Sequence, residues 1–338
     1  MAYTTIDNPT AYFDTTLWST QDTSIDTLNF QPDWVWLKSR SNADTHVAFD
    51  SVRGVNKRLS PSETSQESTT SDELTAFNSD GFTLGTGDNV NRASQTMVAW
   101  SWLSGGSASS NGDGSITSSV SANTTAGFSI ATYTGTGSSA TIGHGLSSVP
   151  QMIIVKRRDS ADGWFIYHHS IGNGKYLRLE TTDAEASSSN LWGGTDPTSS
   201  VFTVNNNSTN GSSRTFVAYC FAEKKGYSKF GSYTGNGNAD GTFVYTGFKP
   251  AWVMMKATTA SEHWNMHDNK RDPINVCDAG LKANENNAEE DADRLDFVSN
   301  GFKHRSSSGG YNSSNTFIYM AFAESPFVNS NGIPTNAR

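Results

Sequence analysis

Side chains able to do chemistry are few and scattered in this chain of 338 residues. His263 and His267 come closest to a metal pair. On an extended strand a four-residue separation puts them on one face but about 13 Å apart, too far to ligate one ion. His168 and His169 are adjacent and face opposite sides of such a strand. The only cysteines are Cys220 and Cys277. Cys220 lies in an apolar run, which predicts a buried free thiol, and two cysteines build no disulfide framework. No Gly-x-Ser-x-Gly elbow occurs. Glycoside hydrolysis needs two carboxylates facing each other across a cleft. Asp50 and Asp268 recur at one repeat position, but His168 stands there in the middle copy, and Glu223 and Glu324 end strands. Asn111-Gly-Asp113-Gly and Asn238-Ala-Asp240-Gly offer oxygen atoms to calcium, although glycine-flanked Asn and Asp are ordinary turn residues. The expectation is a non-enzyme without cofactor, calcium at these two turns being the alternative.

Aromatic residues offer a different chemistry. Trp192 lies in the loop Asn190-Leu-Trp-Gly-Gly194, where it either stacks on a sugar ring or folds back on the protein. Trp164 and Trp264 occupy equivalent repeat positions, with His46 in the first copy. These three tryptophans are the candidate glycan-binding residues.

Composition narrows the classes further. Hydrophobic residues make up 35%, charged residues 17% and aromatic residues 11%, with 9 Trp and 18 Phe. Small polar side chains with embedded aromatics suit short strands and many turns rather than a disordered polyelectrolyte. The net charge is −9 and no Lys/Arg run occurs, which argues against nucleic-acid binding. No stretch is apolar enough to cross a membrane as a helix, and the first residues lack the basic and apolar regions of a secretory signal. Synthesis and folding in a cytosol follow as the expectation.

Three anchors recur in register, and they organise the chain. The first is Pro32-Asp-Trp-Val-Trp-Leu-Lys38, Pro150-Gln-Met-Ile-Ile-Val-Lys156 and Pro250-Ala-Trp-Val-Met-Met-Lys256, with Asp50, His168 and Asp268 twelve residues past each Lys. The second is Asp80-Gly-Phe82, Ser200-Val-Phe202 and Asn300-Gly-Phe302. The third is Thr96-Met-Val-Ala-Trp-Ser-Trp102, Thr215-Phe-Val-Ala-Tyr-Cys-Phe221 and Thr316-Phe-Ile-Tyr-Met-Ala-Phe322. Pro and Thr are 64, 65 and 66 residues apart in the three copies. Tyr133-Thr-Gly-Thr-Gly137 and Tyr233-Thr-Gly-Asn-Gly237 lead the second and third copies, with the weaker Leu17-Trp18-Ser19 in the first.

The anchors are β-branched and aromatic runs bounded by Gly, Pro, Asn and Ser, hence strands. Each Pro is expected at a strand start, where its missing N–H costs no ladder bond. Thr215 to Ala222 is nearly all apolar, the mark of a central strand covered on both sides. Trp34, Trp252, Phe82, Phe202, Phe302 and Phe322 fall in the core. No segment has helical periodicity, and Asn284 to Arg294 is expected as an acidic loop. The fold class is therefore all-β: three repeated antiparallel β-sandwich or jelly-roll modules over 1–103, 127–226 and 227–338, the last with a C-terminal tail. Residues 104–126, rich in Gly and Ser, are expected to form a flexible or surface-draped linker that leaves the first module freer. The short join Lys224-Lys-Gly-Tyr-Ser228 couples the other two.

Several of these motifs carry a resemblance. The opening Met1-Ala-Tyr-Thr-Thr-Ile-Asp-Asn-Pro-Thr-Ala-Tyr-Phe13, Phe49-Asp-Ser-Val-Arg-Gly54, the Tyr-Thr-Gly-x-Gly leads, Gly247-Phe-Lys-Pro-Ala-Trp252, Phe322-Ala-Glu-Ser-Pro-Phe327 and the closing Asn331-Gly-Ile-Pro-Thr-Asn-Ala-Arg338 resemble a family of virion structural proteins. It is found in bacteriophages of marine bacteria, of the cyanophage and pelagiphage type. Its members are described as virion structural, tail-fibre-like or lectin-like proteins with concanavalin-type β-sandwich modules. The resemblance implies a location on the virion surface, other virion proteins as partners, homo-oligomers and a host surface glycan as ligand. It implies no catalytic residues. A compact knob or capsid-decoration protein fits better than a fibre, because neither an N-terminal anchor nor a long repetitive shaft is evident. Alternatives are a capsid-stabilising cement protein without ligand and a virion-associated glycan hydrolase.

Overall fold

In a computed structural model the chain folds almost entirely into antiparallel strands. The structure describes residues 3–19, 21 and 24–335. Residues 1 and 2 of the opening motif and 336–338 of the closing one lie outside the described residues. The anchors form strands because their branched and aromatic side chains pack on a pleated surface better than on a helix.

One four-stranded order occurs three times. In the first ladder Phe13–Trp18, Met97–Trp102, Trp34–Ser39 and Val47–Asp50 lie side by side in that order. The second places Phe128–Thr134, Thr215–Phe221, Met152–Arg157 and Trp164–His168 in the same order, and the third Ser228–Thr234, Thr316–Pro326, Phe248–Ala257 and Asn265–Asp268. The Thr-led strand is thus always interior. Registers match as well: Trp34 faces Trp102, Met152 faces Phe221 and Trp252 faces Phe322. Trp18 pairs opposite Met97 as Tyr133 pairs opposite Phe216 and Tyr233 opposite Phe317, so the first ladder puts Trp where the others have Tyr.

Period-two alternation decides what each face covers. Val35, Leu37, Phe49 and Met97 pack outward against Ile25, Leu74, Phe82 and Leu84 of a small second sheet, which makes a sandwich. The second ladder buries Ile153 and Val155 against Ile142 and Phe202, the third Val253 and Met255 against Val244 and Phe302. The alternate residues face the other way, and there the three ladders share one core. Trp34, Trp100 and Trp102 meet Phe128, Tyr219 and Phe221 of the second ladder and Trp252 and Phe322 of the third. Trp34 stacks on Tyr219 at 4.5 Å, and Phe13 on Phe322 at 4.9 Å. Burial on both faces explains the unbroken apolar runs of the anchors.

Four expectations need correcting. First, residues 104–126 are no linker. Ser109–Asn111 and Ser118–Asn123 extend the second ladder, and Val120 enters its outer core. The segment is tied down before it reaches them, since Asp33 accepts from the Ser104 and Gly106 amides. With its aromatics in the shared core, the first ladder is not the freer one. Second, Pro250 lies within its strand, at a bulge where two register shifts remove the need for its N–H. Third, Glu290–Val298 is a strand, so only the start of the acidic segment is a loop. Fourth, one-turn helices occur at Asp88–Asn91, Asn207–Asn210 and Gly309–Asn312, just before each Thr-led strand. They are too short to show periodicity. Each ends in a buried Asn whose amide holds a neighbouring loop, as Asn312 donates to Asn236 and Asn238. The Gly before two of the anchor Phe residues is required by close approach. A Cβ at Gly81 would stand 1.6 Å from the Ile25 carbonyl oxygen, and one at Gly301 2.0 Å from that of Val244.

Candidate functional site

Polar chemistry in this molecule concentrates where the ladders meet, and it runs head to tail. The Glu67 amide donates to the Arg158 carbonyl, that of Glu185 to Thr258 and that of Glu289 to Arg40, each at 2.8 Å. The receiving residue is always two past the anchor Lys. Trp164 Nε1 donates to the Ser60 carbonyl at 3.0 Å, Trp264 Nε1 to that of Arg178 at 2.9 Å, and His46 Nε2 faces that of Lys282 at 3.1 Å. First joins second, second joins third and third joins first, so three seams close a ring.

Buried charge follows the same circuit. Asp50 pairs with Arg53 at 2.5 Å and accepts from Tyr219 of the second ladder at 2.7 Å. Asp268 pairs with Arg271 at 2.5 Å and accepts from Trp100 Nε1 of the first ladder at 3.0 Å. Arg53 also reaches Glu67, and Arg271 reaches Glu289. The remaining seam has His168 and Ile171 at these positions, beside Tyr319 and the donor-free Met320. The acid, its arginine and its aromatic donor are present together or absent together, as expected when an unpaired buried charge is costly. The lysines of the first anchor are fully buried. Lys156 Nζ donates to Thr64 and Asp162 carbonyls, and Lys256 Nζ to those of Thr182 and Ala257, crossing the seams. Lys38 serves Ser39 and Asn42 of its own ladder. Burial brings all three down to about 8.

The glycan-binding expectation fails on burial. Trp192 is 2% exposed, Trp164 0% and Trp264 1%, so none offers a ring face to a sugar. Trp192 folds back on the outer core of the second ladder and donates to the Lys175 carbonyl at 3.1 Å. The signature residues Pro32, Trp34, Lys38, Phe82, Pro150, Lys156, Phe202, Phe221, Pro250, Trp252, Lys256, Phe302 and Phe322 are all buried. Cys220 and Cys277 are buried free thiols. His267 is buried against the Tyr311 hydroxyl, while His263 contacts Asn284 and Glu285. At the two turns considered for calcium, Asp113 closes a turn with Asn111 and Asp240 pairs with Lys303.

Sequence reasoning overlooked two features. Asp272 and Asp278 come together on either side of the turn into Cys277–Lys282, and burial with the Asp278 hydrogen bond raises Asp272 to about 7. The two carboxyls touch directly, which leaves no room for the sugar or water a glycosidase pair encloses. Their six-residue separation across a turn was the available signal. The other feature is a set of surface cavities. A groove of about 350 Å³ is lined by Ser110, Ser119, Thr132, Thr134, Arg158 and Thr215. One of about 240 Å³ spans the second seam between Ile171, Lys175 and Glu185 on one side and Ser232, Thr258 and Ile318 on the other. A pocket of about 110 Å³ lies beside the helix Gly309–Asn312 and is lined mainly by charged and amide side chains. Neither Asp272 nor Asp278 lines any of these.

Fold and seams together define an all-β protein in which three sandwiched ladders close around one aromatic core. The chain belongs to the family described as a domain of unknown function, DUF7483, whose model matches residues 8–326 as one unit. No curated protein matches it.

Proposed function

We propose that the three ladders are copies of one module and that the protein is a non-enzymatic structural protein of a bacteriophage particle, a compact knob or decoration protein on the virion surface. The observation that carries this reading is the closed ring. Asp50, Arg53, Asp268, Arg271, Lys156 and Lys256, which an enzyme would direct into a cleft, are used to join one ladder to the next. A ring with three quasi-equivalent seams is a rigid body that presents similar surfaces about one axis, which suits docking on a threefold or quasi-threefold neighbour in an assembly. The resemblance of the terminal and internal motifs to those of phage virion proteins supports the setting. Other virion proteins are the proposed partners. The net charge of −9 suits a particle surface that must stay soluble.

Antibody labelling and peptide mass spectrometry of purified particles test the proposal. The protein is expected at stoichiometric copy number on the outside of the particle. Its absence would overturn the reading. Particles lacking it should adsorb normally but break more readily on heating or osmotic shock if it is a cement. Loss of adsorption would indicate a host-attachment role. Release of reducing sugar from host polysaccharide would point to a hydrolase.

A further inference from the structure

Comparing the three ladders at one position singles out the small pocket on the third. The residue six past the anchor Lys is acidic each time: Asp44, Asp162 and Glu262. In the first ladder Arg92, just after the one-turn helix, approaches Asp44 at 3.9 Å. In the second, Ser208 within the helix donates to Asp162. In the third the equivalent helix begins Gly309-Gly310 and supplies no side chain. Glu262 lies against it, so close that a Cβ at Gly309 would stand 2.1 Å from Oε1. A Cβ at Gly310 would stand 2.8 Å from Asn265 Nδ2 and 3.3 Å from Glu262 Oε2. The two glycines hold the pocket open where the other ladders fill it.

Polar and charged side chains line the opening. Asn265 is 1% exposed, gives its Nδ2 to the Gly310 carbonyl at 2.8 Å, and has no partner for Oδ1. Across the pocket the Arg294 guanidinium lies over the Tyr311 ring at 4.9 Å. Lys282 and Glu290, also in the wall, neutralise each other at 2.7 Å. Among the described residues Glu262 and Arg294 form no ion pair, although both line this space of about 110 Å³. One partly buried carboxylate, with Lys256 as the nearby opposite charge in its own ladder, therefore lies across the pocket from one guanidinium held by Tyr311, and the two form no ion pair with each other.

We propose that this pocket binds a small zwitterion, the ammonium-and-carboxylate head of an α-amino acid. The ammonium would donate to Glu262, and the carboxylate would accept from Arg294. Such a ligand offers each of these two groups an opposite charge from within the pocket in one small molecule. A neutral polyol satisfies hydrogen bonds but offers neither group an opposite charge, and a lone cation or anion matches only one. The site is independent of the virion reading, since it rests on groups that the ring does not use.

Isothermal titration of the full chain with glycine, L-alanine and L-serine tests it. Saturable binding with one site per chain is expected, and N-acetylglycine and ethanolamine, each lacking one of the two charges, should not compete. Glu262→Gln and Arg294→Ala should each weaken binding about tenfold or more, as loss of a charged hydrogen-bond partner does. Gly310→Ser, which puts the second ladder's residue in the pocket, should abolish binding, with a single cooperative melting transition without ligand showing that the fold is intact. Absence of saturable binding by all three amino acids would overturn the proposal, as would binding that all three variants retain. Binding of glucose or galactose at the pocket in place of amino acids would overturn the ligand class.

Discussion

Acidification from pH 7 to pH 5 should cost this protein about 2 kcal/mol of folding stability or more, mostly through its buried histidines. Burial brings His168 and His304 down to about 3, and burial with nearby Lys38 or Arg271 holds His46 and His267 well below the ordinary range. An unfolded histidine titrates near 6.5. Below that pH the unfolded chain binds protons that the native state refuses. The stability these groups provide is therefore complete above about pH 6.5 and is lost progressively toward the depressed native values. At pH 5 the loss is about 2 kcal/mol for each of His168 and His304, or about 4 kcal/mol together, and His46, His267 and the buried His144, lowered in the same direction, add to it. Asp272 works in the opposite sense. Raised to about 7 by burial and by Asp278, it takes up a proton in the native state first and returns about 2 kcal/mol over the same interval. Asp14 and Asp33, also raised by burial, add to that return. His168 and His304 set against Asp272 leave a net loss of about 2 kcal/mol, a sizeable share of the stability of an ordinary domain. Urea unfolding followed by tryptophan fluorescence at pH 7 and pH 5, at fixed ionic strength, measures it. His304 provides the control. Its ring lies between Tyr233 at 4.9 Å and Phe302 at 5.5 Å, and neither nitrogen has a hydrogen-bond partner among the described residues. His304→Leu should keep the packing and shrink the pH 7 to pH 5 difference by about 2 kcal/mol. A wild-type difference below about 2 kcal/mol, or an unchanged one in the variant, would refute the reasoning.

Three further outcomes follow from the seams. Asp50→Leu leaves the fully buried Arg53 with Glu67 as its one remaining ion-pair partner among the described residues and should cost about 3–5 kcal/mol, whereas adding Arg53→Leu should bring the cost down; chemical denaturation of the two singles and the double reads the coupling. The anchor lysines, at about 8 in the native state, lose their protons on folding between about pH 8 and 10.5, so stability should rise from pH 7.5 to 9.5 by about 2 kcal/mol for each, and Lys256→Met should flatten the rise by one share. A fragment of residues 1–103 would expose Trp34, Trp36, Trp100 and Trp102, all buried in the intact chain; it should show no near-ultraviolet circular dichroism and no cooperative melting, and a cooperative transition would mean that the shared core is dispensable.

How far the sequence could be read depended on what periodicity encodes. The anchors gave strands, because Thr215 to Phe221 and its counterparts have few polar interruptions and sit between turn residues, and such runs end up interior in every ladder. They could not tell which partner covers each face. Val35 and Trp36 read alike as apolar, yet one packs in its own sandwich and the other in the core shared by all three ladders. The excess of aromatics on one parity was the legible trace: Trp34, Trp36, Trp100 and Trp102 all point to the shared core, where a wide gap between ladders calls for the largest side chains. Trp192 was misread for a related reason. A loop tryptophan flanked by Asn and Gly looks exposed, but its indole N–H reaches a backbone carbonyl and its ring caps an outer core. The Gly/Ser stretch before residue 127 misled because strand addition needs only backbone and tolerates Ser at nearly every exposed position, as in Ser118-Ser-Val-Ser-Ala-Asn123.

The three ladders carried more information in their differences than in their likeness. Asp50-x-x-Arg53 and Asp268-x-x-Arg271 stand against His168-x-x-Ile171, and the donor opposite changes with them, from Tyr219 and Trp100 to Met320. A substitution that alters charge, partner and donor together within one chain marks a buried contact between ladders, because each alone would leave an unpaired polar group. The same logic separates seam from surface at the acidic position. Asp44 and Asp162 meet an answering side chain from the helix region, whereas Glu262 faces Gly309-Gly310 and its nearby opposite charge is the buried Lys256. Where a ladder lacks the acid together with its partners, the difference is structural; where it has the acid and lacks only the helix-side partner, space is left beside the acid for another group.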